Sequence, residues 1–192
     1  MAWPKPIAMK SILLAVLFCL VSMPSARAEL RAGAAKVDVT PPVLPVIRNG
    51  GFLEATDNKF SDPLHARCLV LDDRVTRLAI VVVDSCMVPM DLCDEAKRLA
   101  SDKTGIPVDR ILISATHAHS APSAMNYCLG TRADPRNRKI HPPKLAKSII
   151  DANAALQPAK AAWGRADAAE YTACRRWSYI RGRELTDPFG GK

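Results

Sequence analysis

The feature that most constrains this chain is the run at 76 to 84, TRLAIVVVD. Continuous β-branched residues of this length predict a strand buried on both faces, the pattern of a sheet covered by helices. A second buried strand is predicted at 110 to 115, RILISA. Between them, residues 89 to 104 predict a helix. Met90, Cys93, Ala96, Lys97 and Ala100 recur there at spacings of three and four, and Gly105 suits the position just past its end.

The rest of the chain extends this pattern. Residues 32 to 39 alternate and stop at Thr40-Pro41-Pro42. Residues 65 to 71, HARCLVL, predict a strand joined to 76 to 84 through the turn Asp72-Asp73-Arg74. Pro142-Pro143 is read as the start of a helix running to about Leu156, with Leu145, Ile149, Ile150 and Ala154 on one face, after an irregular stretch from 123 to 140. Residues 159 to 166 are read as a further strand. The long stretch from 43 to 64, with Gly50-Gly51 and Asp62-Pro63, reads as a functional loop. The expected class is α/β: a mixed sheet flanked by helices.

The two ends point elsewhere. Lys5 and Lys10 precede an apolar run from Ser11 to Ser22, and Ala26-Arg27-Ala28 gives a small-x-small cleavage pattern. Residues 1 to 28 are therefore read as a secretory signal peptide, too short for a membrane span, and residues 29 to 192 as the exported part. The expected location is periplasmic or extracellular. Losing Lys5, Lys10 and Arg27 lowers the formal charge from +8 to +5. That excludes a polycation and leaves only mild attraction to anionic surfaces. Five cysteines remain after Cys19 is removed, namely Cys68, Cys86, Cys93, Cys128 and Cys174, with no C-x-x-C. An odd count gives no closed disulfide framework. Cys68 and Cys86 are read as buried thiols. The chain stops in turn chemistry, Thr186-Asp187-Pro188-Phe189-Gly190-Gly191-Lys192. It is read as the incomplete N-terminal part of a larger domain.

The main chemical signal is Thr116-His117-Ala118-His119-Ser120-Ala121-Pro122, directly after the second buried strand. In extended backbone, residues i and i+2 point to the same side, so both imidazoles could approach one metal. Alternatively one binds while the other acts as acid or base. Zinc favours imidazole nitrogen, with one coordination position left open in catalytic sites. A bare His-x-His is common, and the position at a strand tip is what raises its value. Asp84 ends the other buried strand, at the edge where α/β folds place ligands. Its carboxylate could bind the metal or orient a liganding imidazole, although capping a loop is the commoner role. Thr116 and Ser120 could support the site and more often stabilise a turn. His65 is read as structural and His141 as a surface residue at a helix start. Residues 175 to 183, RRWSYIRGR, mix arginine with Trp177 and Tyr179. For an exported protein this composition suits an anionic membrane surface better than nucleic acid, and a solvated strand best of all.

Four segments together resemble the neutral/alkaline non-lysosomal ceramidases and their bacterial relatives. These are AGAAKVDVTPP at 32 to 42, DPLHARCLVLD at 62 to 72, AIVVVD at 79 to 84 and ISATHAHSAP at 113 to 122. The last is similar to the family's SGTHTHSGP signature, and the resemblance is best over residues 32 to 125. It departs at Ser123-Ala124, where glycines often follow the signature proline. The resemblance implies a zinc amidohydrolase that activates a water to attack the amide carbonyl of a ceramide-like lipid, freeing a fatty acid from a sphingoid base. It implies His117 as a zinc ligand and His119 beside the metal, either supporting a ligand or acting as the catalytic acid/base. It also implies further ligands, a second histidine, a glutamate and a tyrosine, beyond residue 192. Two other functions stay open at this point: a non-catalytic exported protein that binds lipid or a surface, and a different metallohydrolase, an esterase or phosphoesterase, using the histidines with Asp84.

Overall fold

The computed structural model describes residues 29–126, 131–174 and 191. Residues 1 to 28, read above as a signal peptide, Cys128 and the arginine-rich segment 175 to 183 lie outside the described residues.

Among the described residues, seven strands and two α-helices follow one another: β1 (Arg31–Asp38), β2 (Val46–Arg48), β3 (Ala55–Asp57), β4 (His65–Asp72), β5 (Arg77–Val83), α1 (Met90–Thr104), β6 (Ile111–Ala115), α2 (Pro135–Ala154) and β7 (Gln157–Pro158). The main sheet has the order β6-β5-β4-β1-β7, and β2 pairs with β3 apart from it. β5 and β6 are parallel, while the other neighbours in the main sheet are antiparallel. The expected α/β class with a mixed sheet is the one observed. The parallel pair follows from the helix between its strands, since a crossover of this kind returns the chain in the same direction.

The β4–β5 hairpin forms as its sequence predicts. Asp72, almost fully buried, takes hydrogen bonds from the Arg74 amide at 2.7 Å and from Nε and Nη2 of Arg77 at 3.0 and 2.8 Å. Arg77 also donates to Asn153 of α2 at 3.1 Å, tying the turn to the helix layer. One face of the sheet is the core, where Ala66, Cys68, Val70, Ala79, Val81 and Val83 meet Ala96 and Ala100 of α1 and Leu145, Ile149 and Ala152 of α2. Gly33 makes the closest approach. A Cβ there would lie 2.1 Å from the carbonyl oxygen of Ala152, so the end of α2 can rest on β1 only over a glycine.

The 76 to 84 run is less enclosed than its composition suggests. Its Ala79, Val81 and Val83 are buried, whereas Leu78, Ile80 and Val82 are half-buried. On that second face Ala34, Leu69, Ile80 and Leu112 pair in a row across four strands. The inner stripe of α1 is likewise Leu92, Ala96 and Ala100, with Met90 turned outward.

Three expectations are corrected. α2 begins at Pro135, seven residues before Pro142. Asp134 caps it by accepting the Arg136 amide at 2.9 Å, and Pro135 holds the first position, a stronger start than the later prolines. Pro142 and Pro143 sit inside the helix, where they lack the amides that would bond the carbonyls of Arg138 and Lys139. His141 is therefore not a surface residue: it is 2% exposed, with Nδ1 3.1 Å from the Asn137 carbonyl oxygen. Finally, residues 159 to 166 form no strand. β7 is only Gln157–Pro158, and Trp163 stands out in solvent.

Burial pushes the His141 imidazole down to about 4 from its ordinary 6.5, with Arg138 adding to the shift. The folded protein holds it neutral while the unfolded chain takes up a proton first. Its contribution to stability is thus full above pH 6.5 and is lost as pH falls from there towards 4. Between pH 7 and 5 this group should cost about 2 kcal/mol of folding stability. Urea unfolding at the two pH values, compared with His141→Gln, checks this. Equal pH dependence in both proteins would contradict it.

Candidate metal site

The parallel pairing of β5 and β6 sends two chain segments off the same edge of the sheet. After β5 come Asp84, Ser85 and Cys86, and after β6 come Thr116 to His119. Backbone bonds zip the two together past the strand ends: Thr116 N–H to the Val83 oxygen at 3.0 Å and Ala118 N–H to the Ser85 oxygen at 3.2 Å. Cys86 and His117 are brought side by side as a result.

His117 leaves the extended conformation, with φ of 60°. A left-handed non-glycine residue is uncommon and is held only where its surroundings fix it. Here the clamp is the bond between His117 Nδ1 and the Cys86 carbonyl oxygen at 2.9 Å. A carbonyl only accepts, so Nδ1 carries the proton and the Nε2 lone pair is left available. The two rings do converge, but through this left-handed turn and not through strand alternation. Their Nε2 atoms are 3.1 Å apart and the rings meet edge to face at 4.7 Å. Both side chains are exposed to solvent.

A third donor joins them. The Cys86 sulfur lies 3.9 Å from His117 Nδ1, and the thiol is 1% exposed. Among the described residues, Cys86, His117 and His119 are the one group of three metal-type donors, with one ligand atom from each lying within 4.8 Å of the others. Two imidazole nitrogens and a sulfur fit the donor preferences of zinc. Two nitrogens on a tetrahedral zinc sit about 3.3 Å apart, close to the separation between the rings. Cys86 was legible in the sequence only as a buried thiol. Its place two residues past Asp84, at the strand end, was the signal for something more.

Asp84 is not in this group. Its carboxylate accepts the His65 amide at 2.9 Å and Arg67 Nη1 at 2.8 Å, on the β4 side of β5. It caps the start of β4 and pairs with a cation.

The segment after His119 is gripped from all sides. Ser123 N–H bonds the Ile47 oxygen at 2.8 Å, and Asn49 N–H bonds the Ala121 oxygen at 3.0 Å. The Asn137 amide donates to the carbonyls of Pro122 and Ser123 at 3.0 and 3.2 Å, and Arg138 donates to Ala124 at 2.9 Å. Asn49, Ser123 and Asn137 are all buried. The β2–β3 excursion therefore serves to hold the histidine loop. Ser120 faces a 490 Å³ cleft lined also by Thr56, Lys59, Phe60, Asp62 and Leu64.

Gly50 sits directly against His119. Its φ is 101°, and a Cβ there would lie 2.4 Å from the Cβ of His119. Gly50→Ala should destabilise the protein by about 1–3 kcal/mol and move the His119 ring. Thermal unfolding and the imidazole NMR signals report both effects, and an unchanged melting temperature with unmoved signals would rule out this close packing.

No family model and no curated protein matches the chain, but solved structures do. The neutral ceramidase from Pseudomonas aeruginosa superposes with a TM-score of 0.60 at 24% identity, covering 68% of this chain and 22% of that one. A ceramidase complexed with C2 gives a TM-score of 0.58 at the same identity and coverage. The chain thus spans 22% of the length of these solved chains. At this identity the likeness establishes the architecture alone: a mixed α/β fold shared with bacterial neutral ceramidase.

Proposed function

We propose that this chain is the N-terminal part of an exported zinc-dependent amidohydrolase of the neutral ceramidase type, which cleaves the N-acyl amide of a ceramide-like lipid. The reading rests on one observation above all. A convergent histidine pair stands at the carboxyl ends of two parallel strands, in an architecture shared with neutral ceramidase. The four sequence segments that resemble that family fall on β1, β4, β5 and the β6–His119 junction, and the last two of these lead into the site.

In this reading His117 offers Nε2 to the zinc, because its Nδ1 is committed to the Cys86 oxygen. When bound there, zinc lowers the pKa of a water and polarises an amide carbonyl. His119, within hydrogen-bond reach of the same position, holds or delivers the proton needed by the departing amine. Arg67 keeps Asp84 occupied and away from the metal. The remaining zinc ligands, the second histidine, glutamate and tyrosine of the resemblance, are assigned to protein outside these 192 residues. Exposed Phe52 and Leu53, next to Gly50 and Gly51, put apolar surface near His119, which suits a lipid substrate. No helix among the described residues is long and apolar enough to cross a membrane.

The test is zinc content and ceramide hydrolysis in the complete gene product. His117→Ala should abolish turnover and lower bound zinc. His119→Ala should keep the zinc and lower kcat by about 10²–10⁴-fold. Zinc and turnover that survive His117→Ala would end the proposal. Hydrolysis of esters or phosphoesters in place of amides would move the protein to another class of metallohydrolase.

A further inference from the structure

We infer that the sulfur of Cys86 is a direct ligand of the metal held by His117, giving this protein a sulfur donor that the all-nitrogen-and-oxygen zinc set implied by the resemblance does not contain. The inference rests on the metal reading of the histidine pair and adds to it.

The geometry carries it. On a tetrahedral zinc, a thiolate sulfur and an imidazole nitrogen lie about 3.6 Å apart. One ligand atom from each of Cys86, His117 and His119 lies within 4.8 Å of the others, and Cys86 Sγ is 3.9 Å from Nδ1, on the ring edge that faces the Cys86 backbone. The backbone is already fixed: the Cys86 carbonyl holds the His117 ring, and the neighbouring Ser85 carbonyl holds the Ala118 amide.

The chemistry of the surroundings points the same way. Cys86 is buried, and a buried thiolate is stable only beside a cation. Metal binding removes the thiol proton, which passes to solvent, and the ion supplies the compensating charge. The other described cysteines lack this setting. Cys68 lies in the apolar core, where burial pushes its thiol up to about 12. Cys93 bonds only the Val88 carbonyl at 4.0 Å, and Cys174 is exposed beyond the last element. A soft sulfur would bias the site towards zinc, cobalt and cadmium over magnesium and calcium.

The experiment is to load the purified protein with Co(II) and record its absorption spectrum. The expected result is a near-ultraviolet sulfur-to-cobalt charge-transfer band together with visible ligand-field bands. Cys86→Ser should lose the charge-transfer band and bind metal at least about tenfold more weakly, while keeping the ligand-field bands. X-ray absorption of the zinc-loaded wild type gives a check that needs no variant, through a sulfur shell at about 2.3 Å. His117-dependent ligand-field bands without sulfur contributions would overturn the role of Cys86 and leave the histidine site standing. Failure to bind cobalt or zinc in any His117-dependent way would overturn both.

Discussion

The ladder between β5 and β6 runs in parallel from Ala79 beside Ile111 to Val83 beside Ala115, and both strands stop at the same edge of the sheet. Every donor at the site depends on that coincidence. An antiparallel pairing would send the residues after β5 and after β6 to opposite ends. Cys86 and His117 would then lie a full strand length apart. The helix α1 enforces the parallel arrangement, and its inner stripe of Leu92, Ala96 and Ala100 is small enough to let it lie close over the strands.

On this frame the histidine loop is held by polar groups buried away from the apolar core. Asn49, Ser123 and Asn137 are buried, so their hydrogen bonds are costly to break. Asp134 joins the same arrangement. It caps α2, pairs with Arg136 and accepts the Ile47 amide at 3.4 Å, so that one carboxylate links the helix start to the β2–β3 excursion. A loop held from several elements can keep His117 in a left-handed conformation and two imidazoles in contact. This is the rigidity that a metal site needs from its scaffold.

The charged residues divide in a way that residue type alone does not reveal. Asp72 and Asp134 are buried with arginine partners and serve the fold, at the hairpin turn and the helix cap. Asp84, at a strand end beside the site, is claimed by Arg67 and the His65 amide. The histidines divide too. His117 and His119 are exposed at the sheet edge, while His141 is sealed on the buried side of α2 and kept neutral by its burial. The difference lies in what packs over each ring.

The β4–β5 hairpin, the parallel β5–α1–β6 unit and the position of the two histidines at its edge were legible in the amino-acid order. Each is fixed by local patterning: β-branched runs, a turn pair of aspartates, a helix period closed by glycine. The start of α2 was written in Asp134-Pro135 and obscured by Pro142-Pro143, because a proline inside a helix looks like a beginning when neighbouring contacts are unknown. Tertiary structure alone decided the remainder. It turned His117 into the left-handed region, set Cys86 beside it, drew Asp84 towards Arg67 and placed Gly50 against His119. These are contacts between residues from 17 to 69 positions apart. Local preference is silent about them, because their geometry is set by which strand ends meet and which loop is long enough to reach across.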